Sequence, residues 1–440
     1  MKKLIGLFLL LIFCVGCEKG GEEPELPYDY AEFWGYHVKD TAGFQIETIK
    51  SIYSNDTTWL FGMKKGKPWF GMFNEKTKEQ IDEWLCTTTY SFNNQTTIPF
   101  KPFKISNEFI FFMEYPTGKS ENTVDYFTCE PFLLRENKAI LLNSYNNIAW
   151  GNDRQFSTRM LDDNILIYHP YNHGYIYSKE GEELVNTVVI NDTQIDNNDF
   201  MSGFKRGKAW LGIYKDNKLI QEYIDDEVYD RNKKIYKGYG EYEDYYVKEF
   251  LFGRLLKTNW GYVFAPNVTY SDPFYITLDL FICKDGKMKR IDAPSSNFDL
   301  YNWYDNSFLV YEYSIVYTIY SPNGKLILHQ KKTPNTSVDP FRTGNTIPIS
   351  LTEYIWNDYW GWGNGTASLR IRRYNLNSYA SYPIWQQTIA TISSNSKVTW
   401  NLLDRQSEIW LYLIDILNYD GSKEQIQFSI NINTGDLKIQ

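Results

Sequence analysis

The sequence predicts an all-β fold, and three observations lead to this prediction. Aromatic residues make up 18% of the 440-residue chain, with 36 Tyr, 27 Phe and 14 Trp, and large flat side chains suit the pleated surface of a sheet. Short alternating or aromatic-rich runs recur along the chain between clusters of turn residues. One segment of the sequence also occurs twice. Amphipathic helical spacing is scarce, so we expect few helices.

The turn residues between the short runs predict hairpins. In each case an apolar or aromatic run leads into a polar turn with a glycine, and a second run follows. The glycine supplies the positive φ that a tight turn requires, and Pro322 fits the first central position of a type I turn. The four turns are Ser178–Gly181, Lys284–Lys287, Ser321–Lys325 and Asn433–Gly435.

The duplicated segment is Gly62–Phe73, which recurs as Gly203–Tyr214 after 141 residues. Both copies share glycine, two basic residues, Gly-Lys, tryptophan and glycine at the same positions, and a strand ending in glutamate and an aromatic residue follows. We interpret the frame as a structural repeat in which Trp69 and Trp210 fill equivalent positions between neighbouring sheets. The alternative interpretation is a binding motif in which the indole stacks on a ligand.

The spacing of the turns, about 35–70 residues, fits the blades of a β-propeller. The predicted fold is therefore propeller-like, with seven or eight blades. Two or three β-sandwich domains are the alternative, because they have the same strand spacing. A Pro-rich or Ser-rich linker is lacking between residues 30 and 440, which favours one closed object.

The N-terminal residues predict export and lipidation. Lys2 and Lys3 precede an apolar run, Leu4–Val15, which is too short to span a bilayer, and a small residue then precedes Cys17. This arrangement resembles the lipobox of bacterial lipoproteins. The resemblance implies a signal peptide at residues 1–16 and a lipidated Cys17. The acidic, core-free composition that follows predicts a tether at 17–29, and residues 30–440 are expected to form one all-β domain. A plain secretory signal, with Cys17 an incidental thiol, is the alternative.

The acidic residues behind Cys17 are similar to the export signals of Bacteroidota surface lipoproteins. The resemblance implies a protein anchored by lipid in the outer membrane and exposed at the cell surface. Removing residues 1–16, which carry Lys2 and Lys3, changes the formal charge from −9 to −11. An acidic chain without a basic block is not expected to bind nucleic acid.

An aromatic segment, Tyr354–Gly365, contains the predicted ligand site. Trp356, Trp360 and Trp362 have the same parity, so an extended strand would present all three on one face as a platform for sugar rings. Asn357 and Asp358 would be polar partners. In the alternative interpretation these rings belong to the core between sheets.

Other motifs are interpreted as structural. His169 and His173 are separated by Pro170, which argues against a helical metal pair. The acidic loop around Asp192 and Asp196 lacks the EF-hand order, and Asp225–Glu227 is expected to be an exposed acidic turn. The sequence predicts no metal site, no cofactor and no catalytic residue. We expect three buried thiols, at Cys86, Cys129 and Cys283, in preference to a disulfide with one free thiol.

The function predicted from these features is a non-enzymatic binding or scaffold module of the cell envelope, with a glycan or a protein as ligand. The alternative is a secreted glycan-degrading hydrolase or lyase, for which two acids about 5–10 Å apart in a cleft would be needed. A structural subunit of a surface complex would instead carry a large apolar patch.

Overall fold

The computed structural model describes residues 31–440, with gaps. The gaps are residues 34, 41, 55, 90–97, 100–101, 122–123, 150–155, 170–173, 239–240, 247–249, 269–275, 278, 293–297, 313–315, 332–343, 363–364 and 377–382. The predicted signal peptide (residues 1–16) and the whole predicted tether (residues 17–29), including Cys17, lie outside the described residues. None of the helices among these residues is long and apolar enough to cross a membrane.

The chain divides into unit 1, residues 1–158, and unit 2, residues 159–440. The described part of unit 1 contains a hairpin and two groups of consecutive strands, which we call meanders 1 and 2. The hairpin is β1 (Ala31–Phe33) and β2 (Tyr36–Val38). Meander 1 is β3 (Phe44–Ser54), β4 (Thr57–Lys64), β5 (Lys67–Asn74) and β6 (Gln80–Cys86). Meander 2 is β7 (Ile98–Pro99), β8 (Phe103–Ile105), β9 (Glu108–Glu121), β10 (Val124–Arg135), β11 (Lys138–Leu141) and β12 (Tyr145–Ala149).

Unit 2 begins with three further meanders that hydrogen-bond into one sheet. Meander 3 is β13 (Ser157–Leu161), β14 (Asn164–Tyr168), β15 (Gly174–Tyr177) and β16 (Glu183–Ile195). Meander 4 is β17 (Asn198–Lys205), β18 (Lys208–Lys215) and β19 (Lys218–Val228), and a hairpin of β20 (Asn232–Gly238) and β21 (Glu241–Tyr246) follows. Meander 5 is β22 (Phe250–Thr258), β23 (Gly261–Val268), β24 (Ile276–Thr277), β25 (Asp279–Lys284) and β26 (Lys287–Asp292).

Three separate four-stranded sheets complete unit 2. Meander 6 is β27 (Phe298–Asn302), a 3₁₀ turn (Tyr304–Asn306), β28 (Phe308–Glu312), β29 (Val316–Tyr320) and β30 (Leu326–Lys331). Meander 7 is β31 (Gly344–Pro348), β32 (Glu353–Trp362), β33 (Thr366–Asn375) and β34 (Trp385–Ser393). Meander 8 is β35 (Lys397–Gln406), β36 (Ile409–Leu417), β37 (Lys423–Asn431) and β38 (Leu437–Ile439).

The packing of the meanders in unit 2 is that of a propeller. Each one packs face to face on the next along the chain, from meander 3 to meander 8, with a separate apolar cluster at each interface. In meander 7, for example, Trp356 faces meander 6 while Ile355 faces meander 8. A sandwich sheet would bury only one face. The all-β, propeller-like fold that the sequence predicts is therefore confirmed.

The duplicated segment forms corresponding hairpins in meanders 1 and 4. Trp69 of β5 pairs with Gly62 and Leu85, and Trp210 of β18 pairs with Gly203 and Ile224. In both hairpins the two central turn residues have positive φ, which is the type I′ geometry that matches strand twist. Trp210 packs between meanders 3 and 4, whereas Trp69 packs between meander 1 and the β1–β2 hairpin.

Each repeat tryptophan is held by the same partners. Trp69 Nε1 donates to Glu83 Oε2 at 2.8 Å, and Trp210 Nε1 donates to Glu222 Oε2 at 3.0 Å. A lysine of the preceding strand pairs with each glutamate, Lys64 at 3.7 Å and Lys205 at 2.7 Å. The indole ring lies over the glycine two residues later, because a Cβ on Gly71 would be 2.6 Å from Trp69, and one on Gly212 would be closer still to Trp210.

The three described cysteines are free and buried: Cys86, Cys129 and Cys283. The prediction of three buried thiols is confirmed. Burial raises the pKa of the Cys283 thiol, so the protonated form is the stable one. Cys86 and Cys283 belong to apolar clusters, and none of the three described thiols carries a cross-link.

We expect Gly212→Ala to lower the free energy of unfolding by about 1–3 kcal/mol, because the new methyl group collides with the Trp210 indole. In a Trp210→Phe background the cost should shrink, since the phenyl ring leaves the contested space empty. Urea denaturation of the four proteins in this double-mutant cycle measures the effect. An equal cost of Gly212→Ala in both backgrounds would contradict the proposed contact.

Candidate functional site

A groove of about 770 Å³ opens in the described part of unit 2. This volume lies in the usual range for ligand sites. The groove lies between the C-terminal ends of β19 and β26, and the turn between β29 and β30 forms its third wall. The lining residues are Asp225–Val228, Lys287–Ile291, Tyr320, Gly324 and Leu326.

The groove exists because two parallel strands separate. β19 and β26 pair only at Ile224↔Lys287 and Asp225↔Met288 in the described part of the chain. Beyond these pairs, β19 bulges at Asp225–Glu227 and rejoins β18 at the pair Lys208↔Val228, whereas β26 follows β25 to Asp279↔Asp292. Each strand is thus held by its own meander while the ladder between them stops. We call this opening, with walls Asp225–Val228 and Met288–Ile291, the charged fork.

The two walls of the charged fork carry opposite charges. One wall is the run Asp225, Asp226 and Glu227, and the other contains Lys289 and Arg290. Lys287 and Asp226 approach to 3.6 Å near the point where the strands separate, but both side chains are about 70% exposed, so this pair adds little stability. In the described part of the chain, Glu227 and Arg290 have no salt-bridge partner within 4 Å.

The apex of the charged fork holds a buried acid. Asp225 is 9% exposed and accepts a hydrogen bond from the N–H of Glu227 at 3.4 Å. Burial raises the pKa of its carboxyl group, whereas this N–H and the charge of Arg290 lower it. The net direction is upward, because desolvation of the carboxylate is the largest of these effects. The expectation that Asp225–Glu227 forms an exposed turn is wrong for Asp225, which lies in a strand and is buried.

Several contacts hold the walls in place. Lys208 Nζ donates to the carbonyl of Asp226 at 2.5 Å, and Tyr229, the residue after β19, donates its N–H to Gly207 at 2.9 Å. Lys289 Nζ donates to the carbonyl of Asn323 in the third wall at 3.2 Å. Glycine is required in that wall, because a Cβ on Gly324 would be 2.6 Å from Ile291. The groove is therefore built of ordered backbone.

The repeat supplies an internal comparison for the charged fork. In unit 1, β6 pairs in parallel with β11 at Leu85↔Lys138 and Cys86↔Ala139, in the register of Ile224↔Lys287 and Asp225↔Met288. Lys67 Nζ donates to the carbonyl of Thr87 at 3.2 Å, just as Lys208 does to Asp226. The two forks therefore have the same backbone arrangement.

The side chains of the two forks differ. In unit 1 the walls are Cys86–Thr88 and Ala139–Leu141, which carry no formal charge; we call this the neutral fork. Asp225 occupies the position of Cys86, a thiol buried in an apolar cluster. The same backbone thus forms without charge in unit 1, so the acids and bases of the charged fork are not required by the repeat. Residues that the repeat does not explain are the candidates for function.

Only part of the predicted sugar platform lies within the described side chains. Trp356 is 2% exposed and packs against Tyr354 and Tyr374 between meanders 6 and 7. Its ring is covered by the guanidinium of Arg372, whose Cζ is 4.8 Å from the ring centroid. The indole of Trp356 therefore has no free face. Trp360 and Trp362 pair with Ser368 and Thr366 in β32–β33, but their side chains lie outside the described parts.

The predicted polar partners of that platform are buried as well. Asn357 and Asp358 are 1% and 3% exposed. Asp358 pairs with Arg370 at 2.8 Å and with Arg372 at 3.2 Å. Asn357 follows Trp356 in β32 and points to the opposite side of the sheet, toward meander 8. The structure does not bring Asn357 and Asp358 together on one surface.

The weaker motifs are found at structural positions. His169 is buried, and His173 lies outside the described residues. Asp196 lies in the β16–β17 turn and forms an ion pair with Lys257. Asp199 receives a hydrogen bond from Gln194 at 3.0 Å. The loop is thus tied to neighbouring strands.

No protein-family model matches the sequence, and no curated protein is significantly similar to it. The chain is similar in fold to several solved β-propellers. The β-propeller domain of the Trilobed protease from Pyrococcus furiosus is 12% identical, with 78% of this chain and 98% of that chain covered and a TM-score of 0.27. BamB from Moraxella catarrhalis is 8% identical, with 76% and 98% covered and a TM-score of 0.22. Scores this low carry no functional conclusion.

We expect Asp225→Asn to raise the thermal midpoint at neutral pH. The pKa of the carboxyl is raised in the folded protein, so above that pKa the native state holds a partly desolvated charge that the unfolded chain does not. Each kcal/mol of relieved penalty should raise the midpoint by about 2–4 °C.

The difference from the unsubstituted protein should disappear as the pH falls below the ordinary carboxyl range, where both states bind the proton. Asp226→Asn is the matched control, since its side chain is 71% exposed and should leave the midpoint unchanged. A lower midpoint for Asp225→Asn at pH 7, measured by calorimetry, would contradict the assignment.

Proposed function

We propose that this chain is a lipid-anchored protein of the outer membrane, exposed at the cell surface, whose β domain binds a protein ligand without catalysing a reaction. The binding site in this proposal is the charged fork. The observation that supports it most is the difference between the two forks, because one shared backbone carries charged walls in unit 2 and uncharged walls in unit 1.

The composition of the groove favours a polypeptide over a glycan. Sugar rings are typically recognised by an exposed aromatic face. The aromatic residue among those that line the groove is Tyr320, which is only 8% exposed. The groove instead offers both signs of charge together with exposed apolar side chains, Val228 at 71% and Leu326 at 53%. A polypeptide carries the same combination of charged and apolar side chains.

The arrangement of the acids favours binding over glycan hydrolysis. A glycosidase places two carboxyl groups on opposite sides of the scissile bond. In the charged fork the three acids follow one another along one strand, and the opposite wall contains Lys289 and Arg290. Charges arranged in this way select and orient a ligand.

The anchor is proposed from the sequence of residues 1–17. Lys2 and Lys3, the apolar run Leu4–Val15 and the small residue before Cys17 have the order of a lipoprotein signal. More than one acyl chain on the mature N-terminus would make the anchoring stable. The acidic tether would then hold the β domain near the membrane surface.

Cys17→Ala should move the expressed protein from the detergent-rich phase to the aqueous phase in Triton X-114 partitioning, because the acyl chains are attached through its sulfur. Cys86→Ala is the control, since this thiol is buried in the fold and should leave partitioning unchanged. Aqueous partitioning of the unsubstituted protein would contradict the anchor.

The ligand class is tested with the full chain in detergent micelles, exposed to a random twelve-residue peptide display library and to a glycan array. We expect enriched peptides whose affinity falls at least about tenfold in Arg290→Glu, which corresponds to the loss of one charge-assisted contact. Lys438→Glu, an exposed charge of meander 8, is the control and should have no effect. Binding to glycans that Arg290→Glu weakens, without peptide binding, would overturn the proposal.

A further inference from the structure

We propose that the charged fork binds its ligand by strand addition, with an extended segment of the partner protein inserted between β19 and β26 and hydrogen-bonded to both. This inference rests on the proposed protein-binding function and specifies its mode. It assigns the primary contacts to the backbone of Asp226–Val228 and Lys289–Ile291, and the selectivity to the charged side chains of the same residues.

In the described residues, β19 and β26 each have a backbone edge toward the groove that lacks a ladder partner. A strand directs the N–H and C=O groups of alternate residues to opposite sides. β26 keeps its partner β25 on one side up to the pair Asp279↔Asp292, so its other side faces the groove beyond Met288. β19 pairs with β18 at Trp210↔Ile224 and again at Lys208↔Val228, and Asp225–Glu227 bulge out of that ladder between the two pairs. In the described residues, the two strands share no ladder pair beyond Asp225↔Met288.

The spacing and the direction of β19 and β26 decide whether a strand can be inserted between them. Neighbouring strands in a sheet lie about 4.8 Å apart, so two strands can admit a third between them where they separate to about twice that distance. β19 and β26 run in the same direction, because their remaining pairs are parallel. An inserted strand therefore has the same relation to both edges and can bond to both along its length. Insertion would continue the sheet of meanders 4 and 5 through the opening.

Hydrogen bonds to neighbouring residues restrain the two edges of the charged fork. An edge that accepts a strand must be held in place before binding, because ordering it would cost affinity. The carbonyl of Asp226 accepts a hydrogen bond from Lys208 Nζ, and the N–H of Tyr229 donates to the carbonyl of Gly207. On the other edge, Lys289 Nζ donates to the carbonyl of Asn323. These contacts hold both edges of the charged fork in place before a ligand binds.

The two edges of the charged fork carry side chains of opposite charge. Glu227 on one edge and Arg290 on the other are exposed and have no salt-bridge partner within 4 Å in the described part of the chain. Side chains of adjacent strands that point to the same face interact across the ladder. A strand in the fork would therefore meet an acid on one side and a base on the other. The expected occupant is an extended segment that carries both a basic and an acidic residue.

Amide hydrogen exchange tests the mode of binding directly. The probe is the peptide enriched by display, added to the full chain in micelles. We expect at least about tenfold slower exchange for amides within Asp226–Val228 and within Lys289–Ile291, because both edges gain hydrogen bonds. The neutral fork in unit 1 is the internal control, and amides within Ala139–Leu141 should be unchanged. Protection on one edge alone would overturn insertion between the two strands.

Backbone methylation of the peptide provides the second measurement. Consecutive residues of an inserted strand bond to opposite edges, so N-methylation of either of two adjacent central residues should weaken binding at least about tenfold. Tolerance of both methyl groups would overturn strand addition while leaving the proposed function intact.

Charge reversal tests the selectivity. In the double variant Glu227→Lys with Arg290→Glu, the preference among enriched peptides should change to those with the opposite order of charges. Glu408→Lys with Lys438→Glu, two exposed charges of meander 8, is the matched control. An unchanged preference would overturn the assignment of selectivity to these side chains. A library without any peptide that depends on the fork would overturn the proposed function itself, and the mode of binding with it.

Discussion

Most of the described structure depends on one constraint, which is that a sheet with two apolar faces must be covered on both. In unit 2 each meander from 4 to 7 buries one face against its predecessor and the other against its successor. Aromatic side chains serve this purpose well, since one ring fills much of the space between two sheets. The high aromatic content of the chain is thus a consequence of two-sided burial, and it does not require a ligand for its explanation. Trp356 illustrates this, because it belongs to the cluster between meanders 6 and 7.

The repeat separates architecture from function within one chain. The tryptophan, its glutamate, the pairing lysine and the glycine beneath the indole occur in both copies. The same is true of the lysine that donates to the carbonyl of the residue directly after the parallel ladder. Features shared in this way are explained by folding alone. Asp225 in place of Cys86, and Lys289 and Arg290 in place of Ile140 and Leu141, are not shared, and they converge on one groove.

The sequence predicts features that depend on residues close together in the chain, and it does not predict features that depend on pairing between distant residues. Turn chemistry located the hairpins, and the repeated frame placed Trp69 and Trp210 on corresponding strands, since both depend on residues close together in the chain. The charged fork depends on a parallel pairing between Asp225 and Met288, which are distant in sequence. Asp225–Glu227 therefore looked like a solvated turn. The parity of Trp356, Trp360 and Trp362 was sound for a strand, but parity does not tell which face of a sheet is covered.

The buried position of Asp225 links the stability of the charged fork to its proposed role. A carboxylate at the position of the buried Cys86 thiol costs folding free energy, and the repeat shows that the backbone arrangement forms without it. Its charge nevertheless acts where β19 and β26 separate, and there the charge of Arg290 lowers its pKa in part. A charge at the apex disfavours continued apolar packing between the two walls, because closing the fork would desolvate it further. The separation of the two edges comes from the backbone arrangement that both forks share. In the charged fork the acid adds an electrostatic cost to closing these edges, which in the proposed mode of binding accept a strand from another protein.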